Sequence, residues 1–175
     1  MASALQPASR FLTVNGLRLH CLEWGSGGTP PLLCVHGYTS SAEAFNAPAR
    51  HWQDRFHILA SDVRGHGESA WSPDGAYQYA DQAGDLAALV DQLDLSPFVL
   101  VGTSMGGIIA MAYATAHADR LRGLVINDIG PDPEPGSRRI TGLVGSRLEE
   151  FVSLDEAMVY RREVSPVVAG RSLQD

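Results

Sequence analysis

Three observations predict an α/β fold built on a mostly parallel, twisted sheet flanked by helices. Short continuous apolar runs recur at residues 32–35, 56–61, 97–101 and 121–126. Stretches with apolar residues at helical spacing separate the later runs, and a hairpin-like segment at residues 10–24 precedes the first. Short runs of this kind suit strands buried on both faces of a parallel sheet, and their alternation with helices implies right-handed crossovers.

Within residues 10–24, Asn15-Gly16 suits the positive backbone dihedrals of a tight turn, so two antiparallel strands are expected on either side of it. Residues 32–35 form the next strand, ended by His36-Gly37. Residues 41–52 can form a helix, with Pro48 as its expected break or kink. The strand at 56–61 runs into the glycine-marked loop 62–69. In residues 79–95, Leu86, Leu89, Val90 and Leu93 fall at helical spacing while Asp81, Asp85 and Asp91 take other positions, predicting an amphipathic helix on the sheet. Pro97 opens another strand, and 108–118 is a small, apolar helix. The strand at 121–126 ends at Asn127-Asp128, and residues 138–168 read as two amphipathic helices with no strand returning to the sheet.

Composition narrows the function classes. The 175 residues are 45% hydrophobic and 19% charged, ordinary for one globular domain with a real core, and the net charge of -7 leaves no basic footprint for nucleic acid. No apolar run approaches the roughly 20 residues of a membrane span, and the first ten residues lack the pattern of a leader, so no membrane partner and a cytoplasmic location are expected. Cys21 and Cys34 each sit in an apolar strand segment and read as free thiols.

Chemistry concentrates at Gly-Thr-Ser-Met-Gly, residues 102–106, between a strand and a helix. That context is a nucleophile elbow, where a sharp turn lifts Ser104 clear of the sheet and the flanking glycines allow strand and helix to approach. His36-Gly37 after one strand, Asp62-x-Arg64-Gly65-x-Gly67-x-Ser69 after the next, and Asp128-Ile-Gly-Pro131 after the last add three further motifs in fixed order. With them the chain resembles the α/β-hydrolase superfamily, in particular its small esterase and lactonase-like branch. The resemblance implies an eight-stranded sheet with a cap inserted after the sixth strand. Residues 1–131 would supply strands one to six of the core and residues 132–175 the beginning of a helical cap.

The resemblance further implies that Ser104 is the nucleophile and that the backbone N–H groups of Tyr38 and Met105 form the oxyanion hole. It implies a carboxylic ester or lactone as the small-molecule substrate, with no cofactor and no metal. The seventh strand with its acid and the eighth strand followed by the triad histidine have no counterpart before Asp175, so weak activity or none is expected of this chain alone. Dehalogenases and epoxide hydrolases of this fold use an aspartate where this chain has Ser104.

Only His117 follows Ser104, and a rise of about 1.5 Å per residue along the intervening helix puts it more than about 15 Å from the hydroxyl. His36 reads as a hydrogen-bonding part of the oxyanion loop, His66 as a brace of the glycine loop, and His20, His51 and His57 as strand or surface residues. Asp62 and Arg64 read as holding their loop by charge-assisted hydrogen bonds. Asp128 has room for the acid's role, with capping of the turn before Pro131 as the competing reading. Two further expectations concern association: self-pairing through an open sheet edge after Ile126, or completion by a C-terminal segment. A non-catalytic binding or interaction module with a remnant hydrolase site is the alternative to an enzyme.

Overall fold

The computed structural model describes residues 6–25, 28–130 and 151–164. The entry hairpin is β1 (Ala8–Val14) and β2 (Leu17–Trp24), paired antiparallel from Ala8 opposite Glu23 to Val14 opposite Leu17. Asn15 and Gly16 join them with φ of 49° and 80°, the left-handed turn that this dipeptide favours.

Then follow β3 (Pro31–Val35), α1 (Asn46–Trp52), β4 (His57–Ser61), α2 (Tyr79–Gln92), β5 (Phe98–Thr103), α3 (Met105–His117) and β6 (Leu121–Asn127). The sheet order is β1-β2-β4-β3-β5-β6. The β2–β4 pair is antiparallel, whereas β4, β3, β5 and β6 run parallel. A doubly covered sheet follows from strand alternation. Leu33, Val35, Leu59 and Leu100 pack with Leu86, Leu89, Ile109 and Tyr113 of α2 and α3. Cys34, Ile58 and Ala60 point the other way, onto Ala42 and Ala49. Cys21 and Cys34 therefore belong to opposite faces and are free, as expected.

Three local expectations need correction. Residues 41–52 do not form one helix broken at Pro48: a 3-10 turn, Ala42–Phe45, gives way to α1 at Asn46. Pro48 sits in the first turn of α1, where its missing N–H would have no intrahelical partner anyway. The helix of residues 79–95 stops at Gln92. Asp94 turns left-handed at φ 51°, its N–H donates to Asp91 O, and the Leu95 N–H reaches back to Val90 O at 3.0 Å. This Schellman closure also buries Leu95. The helix expected from residue 108 begins at Met105, because the elbow passes straight into it.

By its contacts the chain divides into two units, 1–133 and 134–175. In the second, α4 (Leu154–Val164) accounts for part of the expected helical segment. Residues 131–150 and 165–175, which take in the rest of that expected helical segment, lie outside the described residues. Among the described residues no helix is long and apolar enough to cross a membrane.

Candidate active site

Four loops leave the same end of the sheet, because β3, β4, β5 and β6 are parallel and each motif follows the C-terminal end of its strand. His36-Gly37 follows β3, Asp62 follows β4, Ser104 follows β5 and Asp128 follows β6. Ligands of open α/β sheets bind at that end.

Ser104 is the single residue between β5 and α3, at φ 51° and ψ -115°. Its N–H donates to Asn127 O at 2.8 Å, and its carbonyl accepts the N–H groups of Gly107 and Ile108 at 2.8 and 3.2 Å. Backbone on both sides thus holds a left-handed serine. The glycines make this possible. A methyl group on Gly102 would lie 2.7 Å from Gly107 Cα, and one on Gly106 would lie 2.6 Å from His36 O, with carbonyl oxygens closer still in each case. Gly37 completes the approach, since its missing Cβ would stand 3.3 Å from Ser104 Cβ. The residue that follows, Tyr38, is therefore carried beside the elbow. Met105 supplies the first amide of α3, one of those a helix leaves without an intrahelical partner.

His36 is wholly buried behind this loop. Its Nδ1–H donates to Gly37 O at 2.8 Å and its Nε2 accepts the Val63 N–H at 3.2 Å, which fixes the neutral tautomer. Burial holds its pKa below the usual histidine value. With both nitrogens occupied it braces the loop, as the sequence suggested. His66 also matches its expected role: Nδ1 bonds Arg64 O, and the ring packs near those of His36 and Tyr38.

Asp62 is the fixed point of the loop after β4. Its Oδ1 accepts the Ala42 N–H at 2.6 Å, and its Oδ2 accepts the Glu68 N–H at 3.0 Å and meets His20 Nδ1 at 2.7 Å. Gly67, at φ 51°, leaves no room for a side chain against that carboxylate. Arg64 turns the opposite way and pairs with Asp85, Nε to Oδ2 and Nη2 to Oδ1, both at 2.7 Å. Sequence spacing set Asp85 among the polar positions of α2, yet it is 4% exposed. The arginine explains its burial, because a paired carboxylate can enter a core that excludes a lone one.

The remaining histidines are engaged elsewhere. His20 bonds Asp62 and Ser9, His57 bonds Glu23, His51 lies edge-on to Trp52, and His117 packs on Tyr113 at the far end of α3. None of the six histidines is bonded to Ser104. Asp128 is exposed, with φ 61°, directly after β6. Its neighbour Asn127, whose carbonyl holds the Ser104 amide, had no signal in the sequence because the contact is made by backbone alone. Among the described residues no His, Cys, Asp and Glu cluster could hold a metal ion.

Comparisons with known proteins identify the family of the fold. Residues 30–166 match the family described as alpha/beta hydrolase fold. The chain is 31% identical over 146 residues to the 3-hydroxybutyrate-oligomer hydrolase of Cupriavidus necator, covering 82% of this chain and 50% of that protein. It is 40% identical over 116 residues to the sn-1-specific diacylglycerol lipase ABHD11 of Mus musculus, covering 65% of this chain and 37% of the lipase. A solved α/β hydrolase from Novosphingobium aromaticivorans superposes with a TM-score of 0.80 at 34% identity, over 92% of this chain and 57% of that one. The chain spans about half the length of the curated relatives it matches. Sheet order, elbow geometry and these matches together make the chain a member of the α/β-hydrolase-fold family, and the two curated relatives described above are a hydrolase and a lipase.

Proposed function

We propose that this chain carries the nucleophile of a serine hydrolase acting on a carboxylic ester or lactone. The observation that carries the reading is the left-handed Ser104 at the strand-to-helix turn, with Gly37 packed against its Cβ. Strain of this kind persists where the surroundings over-determine it, and here it presents the hydroxyl at the end of the sheet where ligands bind. Ser104 Oγ attacks the carbonyl carbon, and the developing oxyanion takes hydrogen bonds from the Tyr38 and Met105 amides. Each such donor typically contributes about 2.7–4 kcal/mol in the transition state. The alcohol leaves, and water then hydrolyses the acyl-enzyme. An ester or lactone suits a serine at this position, and two named relatives act on an oligomeric hydroxybutyrate and on a diacylglycerol.

Asp128 is the described carboxylate that could orient a base from this end of the sheet, but no histidine of the chain accompanies it. Unassisted attack is slow. Hydrolysis of p-nitrophenyl butyrate by this chain is therefore expected to stay near the roughly 10³–10⁴-fold acceleration over water that survives loss of the triad. That residual rate comes from the oxyanion hole and binding and survives even loss of the serine, so Ser104→Ala becomes informative once an acid and a histidine are supplied to the site. Hydrolysis restored by a supplied acid and histidine that Ser104→Ala leaves unchanged would overturn the nucleophile assignment, and turnover near the usual enzymatic rate of about 10 s⁻¹ by this chain alone would overturn the claim of weak activity.

A further inference from the structure

Far from the elbow in the sheet order, a second serine, histidine and aspartate are joined in series. Phe11 on β1 pairs with His20 on β2, and Ser9, two residues from Phe11, lies on the same side of the strand. Ser9 Oγ is 2.9 Å from His20 Nε2, and His20 Nδ1 is 2.7 Å from Asp62 Oδ2. The direction of the protons follows from the environment. Asp62 accepts two backbone N–H groups, so its carboxylate is an acceptor and Nδ1 carries the proton that faces it. Nε2 is left as an acceptor for the Ser9 hydroxyl. His20 and Asp62 are each 2% exposed, while Ser9 is exposed on the outer strand. The Phe11 ring, 4.9 Å from the imidazole, covers it and limits its rotation. A buried carboxylate that accepts hydrogen bonds, a base in a fixed tautomer and a reachable hydroxyl are the parts of an activated nucleophile.

We propose that Ser9 is a second nucleophile, independent of Ser104, which accepts the acyl group of an activated carboxylic ester. Ser9 Oγ forms a bond to the ester carbonyl carbon while its proton passes to His20 Nε2. The resulting imidazolium is balanced by Asp62. The carbon–oxygen bond to the leaving group then breaks, and the departing phenolate takes the electron pair. With p-nitrophenyl acetate the products are O-acetyl-Ser9 and p-nitrophenolate, the proton returning to solvent from Nε2. The inference is for acyl transfer to one residue, not for turnover, and it stands whether or not Ser104 reacts.

The test is peptide mapping by mass spectrometry of the full chain carrying Ser104→Ala, sampled over time in p-nitrophenyl acetate. All thirteen basic residues are arginine, so lysine acylation does not compete. Ser72, whose hydroxyl donates to Asp74 with no histidine beside it, is the internal reference. General-base assistance should acetylate Ser9 about 10²-fold faster than Ser72. His20→Gln should bring Ser9 down to the rate of Ser72. Unfolding in urea should bring the ratio close to one with no substitution at His20, which keeps the test decisive if His20→Gln fails to fold. Acetylation of Ser9 no faster than Ser72 in the folded chain, or a ratio unchanged in urea, would overturn the proposal.

Discussion

Ser104 occupies a backbone region that costs a non-glycine residue about 1–3 kcal/mol, so the nucleophile's role proposed for it would be held at the expense of stability. Ser104→Gly should therefore stabilise the fold by about 1 kcal/mol, the strain released less the extra chain entropy of glycine, measured as a shifted urea midpoint at constant slope. Gly106→Ala should do the reverse. Its methyl group would strike the carbonyls of Val35 and His36, backbone that cannot yield as a side chain end can, and a loss of about 3 kcal/mol or more is expected. His36 links stability to pH. Burial depresses its pKa, so as pH falls the unfolded chain takes up a proton near its ordinary value of about 6.5 before the folded chain does. Its contribution is full above that value and is lost as pH falls toward the folded pKa. Urea midpoints should therefore decline between about pH 7.5 and about pH 6, and less so in His36→Asn. The spacing of Gly102, Ser104 and Gly106 made the elbow legible in the sequence, because each glycine answers a local close approach. The grip of Asn127 on the Ser104 amide was not legible, since a backbone carbonyl carries no residue signature.

Helix α2 shows where element-level reading stops. Its apolar stripe of Leu86, Leu89 and Val90 is buried as the spacing required. Asp85 is buried as well, because Arg64 in the loop after β4 reaches it with two hydrogen bonds, and that pairing depends on tertiary structure. Asn15 at the tip of the entry hairpin also donates to Asp85, so one carboxylate ties hairpin, loop and helix together. Removing one partner of a buried pair leaves the other uncompensated, and Asp85→Ala should cost about 3–5 kcal/mol in denaturant unfolding. A loss below about 1 kcal/mol would mean that Arg64 finds water instead. The buried cysteines belong to the strands on either side of this arrangement. Burial pushes both thiols up to about 12, so neither should react with iodoacetamide in the folded chain near neutral pH, whereas both should react in urea.

Across the whole molecule, the sheet joins an antiparallel entry to four parallel strands, and the parallel set gathers the His36, Asp62, Ser104 and Asp128 loops at one end. Strand-helix alternation foretold that gathering, and motif order identified its members. The open edge expected after Ile126 is present too, with β6 outermost in the described sheet. The run at 121–126 has the composition of a buried strand, yet Leu124 and Val125 are 38% and 48% exposed at the edge of the described sheet. An apolar edge of this kind favours self-association, so the chain should elute as oligomers by light-scattering chromatography, and Val125→Lys should shift it toward monomer. Co-expressing the chain with the C-terminal segment of a close family relative, which supplies two strands, an acid and a histidine, shows whether the proposed nucleophile Ser104 awaits a base. Hydrolysis of p-nitrophenyl butyrate and the melting temperature should then rise together, and Ser104→Ala should abolish the gain in hydrolysis while leaving the gain in melting temperature. A gain in hydrolysis that survives Ser104→Ala, or a complemented fold that melts higher yet hydrolyses no faster, would contradict that role for Ser104.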